Sequence, residues 1–305
     1  RCGTLPVPEN RAAPEGSKVE LFVAVLPANT TNPKPDPLLI LAGGPGQAAS
    51  RLAPFASRLT EVRRTRDIVL IDQRGTGRSS PLACDAFSRR DEPLVVLETD
   101  PIPKARACAA ELASRNIDLA QYTTAAWIAD LESIREALGY RTFNLWGGSY
   151  GTRVALEYLR LHPDRVRSAT LDGVAPPDFR IPLDVWPSRE RALDAVFAAC
   201  ETQPECRKRY PELQGVLARI VAELAPDGRE IRVADPRTGA ATAHTLTGDA
   251  LLAGLLPLTY APELASLLPE VIGRASAGDY GPLFAAAGLV SEDFGQEFNA
   301  ALHYA

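Results

Sequence analysis

The sequence predicts an α/β fold, a mostly parallel sheet flanked by helices, followed by a mainly helical region. Three observations carry this reading. Short uninterrupted apolar runs at Leu38 to Ala42, Ile68 to Ile71 and Phe143 to Trp146 each stop at a glycine-containing turn, as strands buried on both faces do. Helical patterns lie between them, and strand-helix-strand alternation gives parallel pairing with helices on the sheet faces. Beyond Pro176-Pro177 the strand-like runs almost vanish.

The elements follow in order. Val19, Leu21, Val23 and Val25 alternate with other residues over Lys18 to Leu26, the period of a half-buried strand. A linker rich in Pro, Asn and Thr, Pro27 to Pro37, ends it, and the strand Leu38 to Ala42 runs into Gly43-Gly44-Pro45-Gly46. Ala48 to Arg66 has helical character, with Arg58, Arg63, Arg64 and Arg66 read as its solvated face. The strand Ile68 to Ile71 stops at Asp72-Gln73-Arg74-Gly75. Ile128, Leu131, Ile134 and Leu138 share one helical face, which Gly139 terminates. After Phe143 to Trp146, Gly151 to His162 reads as a helix ended by Pro163, and Ser168 to Leu171 as a short strand before Asp172-Gly173. Helices are then expected over Arg189 to Cys200, Pro211 to Leu224, Gly248 to Leu256 and Pro262 to Ala275, with a single β excursion at Glu230 to Val233. This divides the chain into a core at 1–177 and a mainly helical cap or lid at 178–305.

Composition narrows the function classes. With 46% hydrophobic and 23% charged residues in 305, and no apolar stretch of spanning length, the chain reads as soluble and globular, with no membrane partner. Its net charge of −5 and scattered arginines give no basic footprint for nucleic acid. Cys2, Cys84, Cys108, Cys200 and Cys206 include no C-x-x-C pair, so no metal site is expected. Cys200 and Cys206 bracket a short loop that a disulfide would close in an oxidising compartment. Cys84 with Cys108 is a second candidate pair, which leaves Cys2 with a partner outside this chain. A secreted or periplasmic protein follows from that pairing; five buried thiols in a cytoplasmic protein is the alternative. No charged-then-apolar leader opens the chain, so a signal peptide is expected to have been removed or never to have existed.

The chemistry lies at Phe143-Asn144-Leu145-Trp146-Gly147-Gly148-Ser149-Tyr150-Gly151-Thr152, an apolar strand, then G-x-S-x-G, then a helix. A sharp strand-to-helix turn of this kind lifts the serine oxygen above the sheet and needs glycines to avoid clashes. Ser149 is therefore the expected nucleophile. The Tyr150 amide, at the helix N-terminus, is an expected oxyanion donor. The turn after Leu38 to Ala42 is expected to supply the second donor, assigned to Gly44. A phosphate loop is excluded there by the lack of a following Gly-Lys-Ser/Thr, and a dinucleotide fingerprint by the glycine spacing.

Three motifs in this order, Gly43-Gly44-Pro45-Gly46, Asp72-Gln73-Arg74-Gly75-Thr76-Gly77-Arg78-Ser79 and Gly147-Gly148-Ser149-Tyr150-Gly151-Thr152, resemble the proline iminopeptidase and tripeptidyl aminopeptidase family of α/β-hydrolases. The resemblance covers roughly Cys2 to Pro177 and continues more loosely beyond. It implies an α/β-hydrolase fold with a helical lid inserted after the strand that follows the nucleophile. It also implies a serine exopeptidase that uses no cofactor and takes peptides by their free N-terminus. The Tyr-Gly-Thr ending of the elbow looks more like the secreted tripeptidyl aminopeptidase branch. Where family members often carry a histidine before the first glycine pair, this chain has Ala42. The Asp72 to Ser79 turn is expected to be structural, with Asp72 and Arg74 tying loops together by charge-assisted hydrogen bonds.

A serine nucleophile needs a histidine base and a carboxylate, in this fold in the order Ser, Asp or Glu, His. His162 sits about 20 Å from Ser149, at the far end of a 13-residue helix rising 1.5 Å per residue. His244 is read as an exposed polar residue of the helical region. His303 has the right order, with Asp172 as its acid, but it follows lid-like helix instead of core strands. The acid and base are therefore expected on a C-terminal segment of the same precursor, beyond core strands that this chain lacks. The alternatives are a carboxylesterase-like hydrolase and a non-catalytic binding protein on a hydrolase scaffold. Glu190, Glu201 and Glu205 are candidates for pairing with a substrate ammonium.

Overall fold

The computed structural model describes residues 1–85, 102–180, 183–224, 227–234 and 239–291. These fall into two compact units, one of residues 1–85 and 104–179, the other of residues 102–103 and 180–291. The first holds strands β1 (Cys2–Pro8), β2 (Lys18–Leu26), β3 (Leu38–Leu41), β4 (Ile68–Ile71), β5 (Phe143–Gly148) and β6 (Val166–Asp172). Its helices are α1 (Ala53–Arg58), α2 (Thr60–Arg63), α3 (Ile102–Ser114), α4 (Thr124–Ala137) and α5 (Tyr150–Leu161).

The six strands form one sheet in the order β1-β2-β4-β3-β5-β6. β4, β3, β5 and β6 run parallel, while β1 and β2 add antiparallel pairs at one edge. Both faces of the central strands are covered, as their unbroken apolar runs require. Leu39, Leu41, Val69, Ile71 and Leu145 pack with Trp127, Ile128 and Leu131 of α4 and with Val154 and Tyr158 of α5. Ile40, Ile68 and Leu70 pack on the other face with Ala49 and Ala56. β6 differs: every residue in it except Val166 and Leu171 is exposed.

The second unit contains α6 (Trp186–Thr202), α7 (Pro204–Arg209), α8 (Leu213–Glu223), strands β7 (Arg229–Ala234) and β8 (Ala241–Leu246), then α9 (Gly248–Leu255), α10 (Pro262–Ala265), α11 (Leu268–Ser276) and α12 (Gly281–Ser291). It has its own core, in which Leu217, Ile220, Leu251, Leu255, Ile272 and Leu283 meet Ile231 and Val233 of β7.

Several expectations need correcting. Ala48 to Arg66 is not one helix but a 3₁₀ turn followed by the short α1 and α2. Of its arginines, Arg58 and Arg64 are exposed, as a solvated face requires, but Arg63 and Arg66 are half-buried: Arg63 donates to the Pro27 carbonyl, and Arg66 lies beyond α2 and pairs with Asp36. The β excursion has a partner, since β7 pairs antiparallel with β8. That places His244 in a strand, half-buried. Its Nε2 is 2.7 Å from Thr242 Oγ1, and its ring is 5.1 Å from Phe284. The strand β1, lacking an alternating apolar pattern, was not expected. Disulfides join Cys84 to Cys108 and Cys200 to Cys206, and Cys2 is an exposed free thiol.

Candidate active site

Ser149 stands between the end of β5 and the first residue of α5, exposed, at φ 52° and ψ −120°. A non-glycine residue with positive φ is strained and persists only when its surroundings over-determine it. Here the elbow is held on both sides. The Ser149 amide donates to the Asp172 carbonyl at the end of β6 (2.8 Å). The Ser149 carbonyl accepts from the Thr152 amide (2.9 Å) and from Thr152 Oγ1 (2.6 Å). That hydroxyl in turn accepts from the Ala175 amide (2.8 Å), so one buried threonine ties the elbow to the segment that leaves the sheet.

The flanking glycines are required by close approach. A β-carbon at Gly151 would lie 2.1 Å from the Leu41 carbonyl oxygen, and one at Gly147 would lie 2.4 Å from the Gly151 carbonyl oxygen. The elbow therefore sits directly on the end of β3, and the chain leaving β3 passes beside the serine. A β-carbon at Gly43 would stand 3.3 Å from Ser149 Cβ and 3.2 Å from the Gly148 carbonyl oxygen. Gly44, next along, is exposed at φ 103°.

The Asp72 to Ser79 turn supports both pieces. Asp72, fully buried, accepts from the Ser50 amide (2.7 Å), Ser50 Oγ (2.9 Å) and the Arg78 amide (2.9 Å). It thus fixes the far end of the Gly43 to Ser50 segment. Gln73 Nε2 donates to the Tyr150 hydroxyl (3.4 Å), which also shares a hydrogen bond with Thr124 Oγ1 (2.8 Å). Burial raises the pKa of this tyrosine. Arg74, also fully buried, makes a two-pronged pair with Asp130 (2.6 and 2.7 Å) and donates to the Glu9 carbonyl (2.8 Å). Asp130 also accepts from Arg11 (2.6 Å). The tying role expected of Asp72 and Arg74 is what these bonds do. Burial and the Glu9 carboxylate hold the Tyr122 phenol well above its ordinary pKa.

Chemically, an exposed hydroxyl flanked by a helix N-terminus and a glycine turn is suited to a reaction that develops negative charge on an oxygen beside it. This constellation of strand, elbow, helix and neighbouring turn matches the sequence model described as "alpha/beta hydrolase fold" over residues 36–252. The chain belongs to the α/β-hydrolase family.

Among relatives within that family, the tripeptidyl aminopeptidase of Streptomyces lividans is 28% identical over 254 residues, spanning 72% of this chain and 46% of that protein. The serine protease Hip1 of Mycobacterium tuberculosis is 32% identical over 190 residues, 58% of this chain and 36% of that one. The probable proline iminopeptidase of Streptomyces coelicolor is 31% identical over 200 residues, 65% and 45% of the two chains. The chain thus spans about half the length, or less, of these curated relatives.

The remaining residues singled out from an α/β-hydrolase pattern are dispersed. Asp172 ends β6 opposite Gly148, and its backbone carbonyl is the group that meets Ser149. His162 caps the far end of α5, its ring 5.3 Å from that of Tyr158. His303 lies outside the described residues. Glu190, Glu201 and Glu205 are all exposed, with Glu201 3.8 Å from Arg207. Among the described residues no group of three or more His, Cys, Asp or Glu is placed to hold a metal ion, and no helix is long and apolar enough to cross a membrane. Sequence reasoning did not single out Gln47, whose side chain reaches back along its own turn to the Gly43 amide (3.1 Å). Its only sequence signal is its place directly after Gly46.

Proposed function

We propose that this chain carries the nucleophile and oxyanion site of a serine aminopeptidase that cleaves peptides near a free N-terminus. The observation that carries the reading is Ser149, exposed at positive φ at the start of α5 and flush against the Gly43-Gly44 turn. Ser149 Oγ attacks the scissile carbonyl. The oxyanion takes hydrogen bonds from the Tyr150 and Gly44 amides, the amine leaves with a proton, and water then hydrolyses the acyl-enzyme. The kinship with aminopeptidases and a serine protease supports the peptide substrate.

The base and its carboxylate are assigned to a C-terminal segment of the same precursor. Two facts support this: the matched region is less than half of these relatives' length, and β6 is an exposed edge strand, where strands in parallel sheets are normally buried. The two disulfides support an oxidising, secreted or periplasmic setting.

Treating the complete protein with a fluorophosphonate probe should modify Ser149, located by peptide mass spectrometry. Short peptides should lose N-terminal residues, and acetylating their N-termini should abolish the release. Turnover of acyl esters without peptide cleavage would turn the reading to an esterase. Neither labelling nor turnover would leave a non-catalytic member of the family.

A further inference from the structure

We propose that Gln47 is a positioning residue for this site: its carboxamide fixes the Gly43 peptide, so that the Gly44 amide is the one presented to the oxyanion. The inference rests on the reading of Ser149 as nucleophile. It starts from the hydrogen-bonding capacity of the turn. Between Gly43 and Gly46 the backbone has three N–H groups, because Pro45 has none. The Gly43 N–H is committed to Gln47 Oε1 (3.1 Å), and the Gly43 carbonyl accepts from the Gln47 amide (3.4 Å). One residue thus grips both polar groups of the glycine nearest the serine.

The grip is placed where it matters. The β-carbon position of Gly43 lies 3.3 Å from Ser149 Cβ and 3.6 Å from Gln47 Oε1. Rotation of the Gly43 peptide would therefore be felt directly at the serine. Downstream of Gln47 the segment is fixed by buried Ala48 and Ala49 and by Ser50 on Asp72. The remaining freedom lies in Gly43, Gly44 and Gly46, which have no side chain to restrain the backbone. The acceptor also has to be uncharged. Glutamine provides a carbonyl acceptor without a negative charge, whereas a carboxylate in this place would repel the anion that the site stabilises.

The test uses the complete protein, unsubstituted and as Gln47→Leu and Gln47→Glu. For a peptide that the unsubstituted protein cleaves, Gln47→Leu should lower kcat about 10- to 100-fold, up to the loss of one oxyanion donor, with KM nearly unchanged. Inhibition by a peptide aldehyde, whose adduct places an oxyanion in the same position, should weaken in parallel. Gln47→Glu keeps an acceptor for Gly43 but ionises as pH rises through the carboxyl range, near 4.3 when unperturbed and higher when buried. Its kcat/KM relative to the unsubstituted protein should therefore fall severalfold or more between pH 4 and pH 8, a window that spans this range. Unchanged kcat in Gln47→Leu, an effect on KM alone, or a pH-independent ratio for Gln47→Glu would overturn the proposal. If Gln47→Leu does not fold, the pH ratio decides by itself. An unsubstituted protein that neither labels at Ser149 nor cleaves peptide would take down the functional reading and this inference with it, which is a different result from an active protein indifferent to Gln47.

Discussion

The two ends of the sheet are built by different means. At the C-terminal ends of β3, β4 and β5, turns form by backbone conformation and close approach: Gly44, Gly75, Gly77 and Ser149 all have positive φ, and Gly147 and Gly151 leave no room for a β-carbon. At the N-terminal ends, side chains do the joining. Asp36, just before β3, accepts from Arg66 (3.1 Å), Asn144 (3.2 Å) and Arg167 (2.6 Å). Asp67, just before β4, accepts from the Ala28 amide (2.8 Å) and the Tyr140 hydroxyl (2.7 Å). Positive-φ strain is concentrated where the exposed hydroxyl stands, braced from behind by the buried Arg74–Asp130 pair, whereas at the other end carboxylates do the joining and nothing reactive is presented. Substitutions at the first end should therefore cost function, and those at the second should cost stability alone.

The largest effect is expected at Ser149. In the complete protein, Ser149→Ala should abolish fluorophosphonate labelling and lower peptide turnover by about 10⁴- to 10⁶-fold, with the melting temperature held or raised. Retained turnover would show that this end of the sheet has no chemical role. Gly151→Ala comes next. Its methyl group would meet the Leu41 carbonyl at 2.1 Å, a backbone atom that cannot swing aside, so a cost above about 3 kcal/mol is expected, with loss of turnover. Chemical denaturation reads the first and kinetics the second. A variant with native stability would mean that the contact does not set the elbow.

At the opposite end, Asp67→Ala leaves the Ala28 amide and the Tyr140 hydroxyl without an acceptor, a loss of about 2–3 kcal/mol. Burial and the Asp67 carboxylate push the Tyr140 phenol upward in pKa, a sign that the two are in close contact. Well below its melting point the variant should keep the unsubstituted kcat. A drop in kcat without a drop in stability would break the division between the two ends.

The same contrast explains what could be read from the sequence. Glycine turns are local, so Gly43-Gly44, Asp72 to Ser79 and the Ser149 elbow could each be placed from a few adjacent residues, and the apolar runs before them gave the parallel strands. The ion pairs were not legible, because Asp36 meets Arg66, Asn144 and Arg167 at separations of about 30 to 130 residues that no local pattern encodes. Gln47 was missed for a related reason: a glutamine beside a turn looks like solvated surface until its side chain is seen folded back on Gly43. β8 and the setting of His244 were hidden because Ala241 to Leu246 lacks the apolar alternation that marked Lys18 to Leu26.

The smallest effect expected is the pH response of the ion-pair end. Burial by itself would raise the Asp36 carboxyl, but the hydrogen bonds from Asn144 and Arg66, with the charges of Arg66 and Arg167, outweigh it and leave its pKa below the ordinary value of 3.8. A carboxyl lowered on folding stabilises the protein above its unfolded pKa, and that contribution disappears as pH falls through the folded one. Asp36→Asn should therefore melt lower than the unsubstituted protein by a constant margin from pH 8 to pH 5, on the order of 1 kcal/mol as for partly solvated ion pairs. Below about pH 4 the margin should shrink toward zero as the native carboxylate takes its proton. Comparing the two proteins cancels the other carboxylates that titrate in the same range, Glu132 and Asp279 among them. A margin unchanged down to pH 3 would mean that Asp36 acts through neutral hydrogen bonds, and that charge does not hold this end of the sheet.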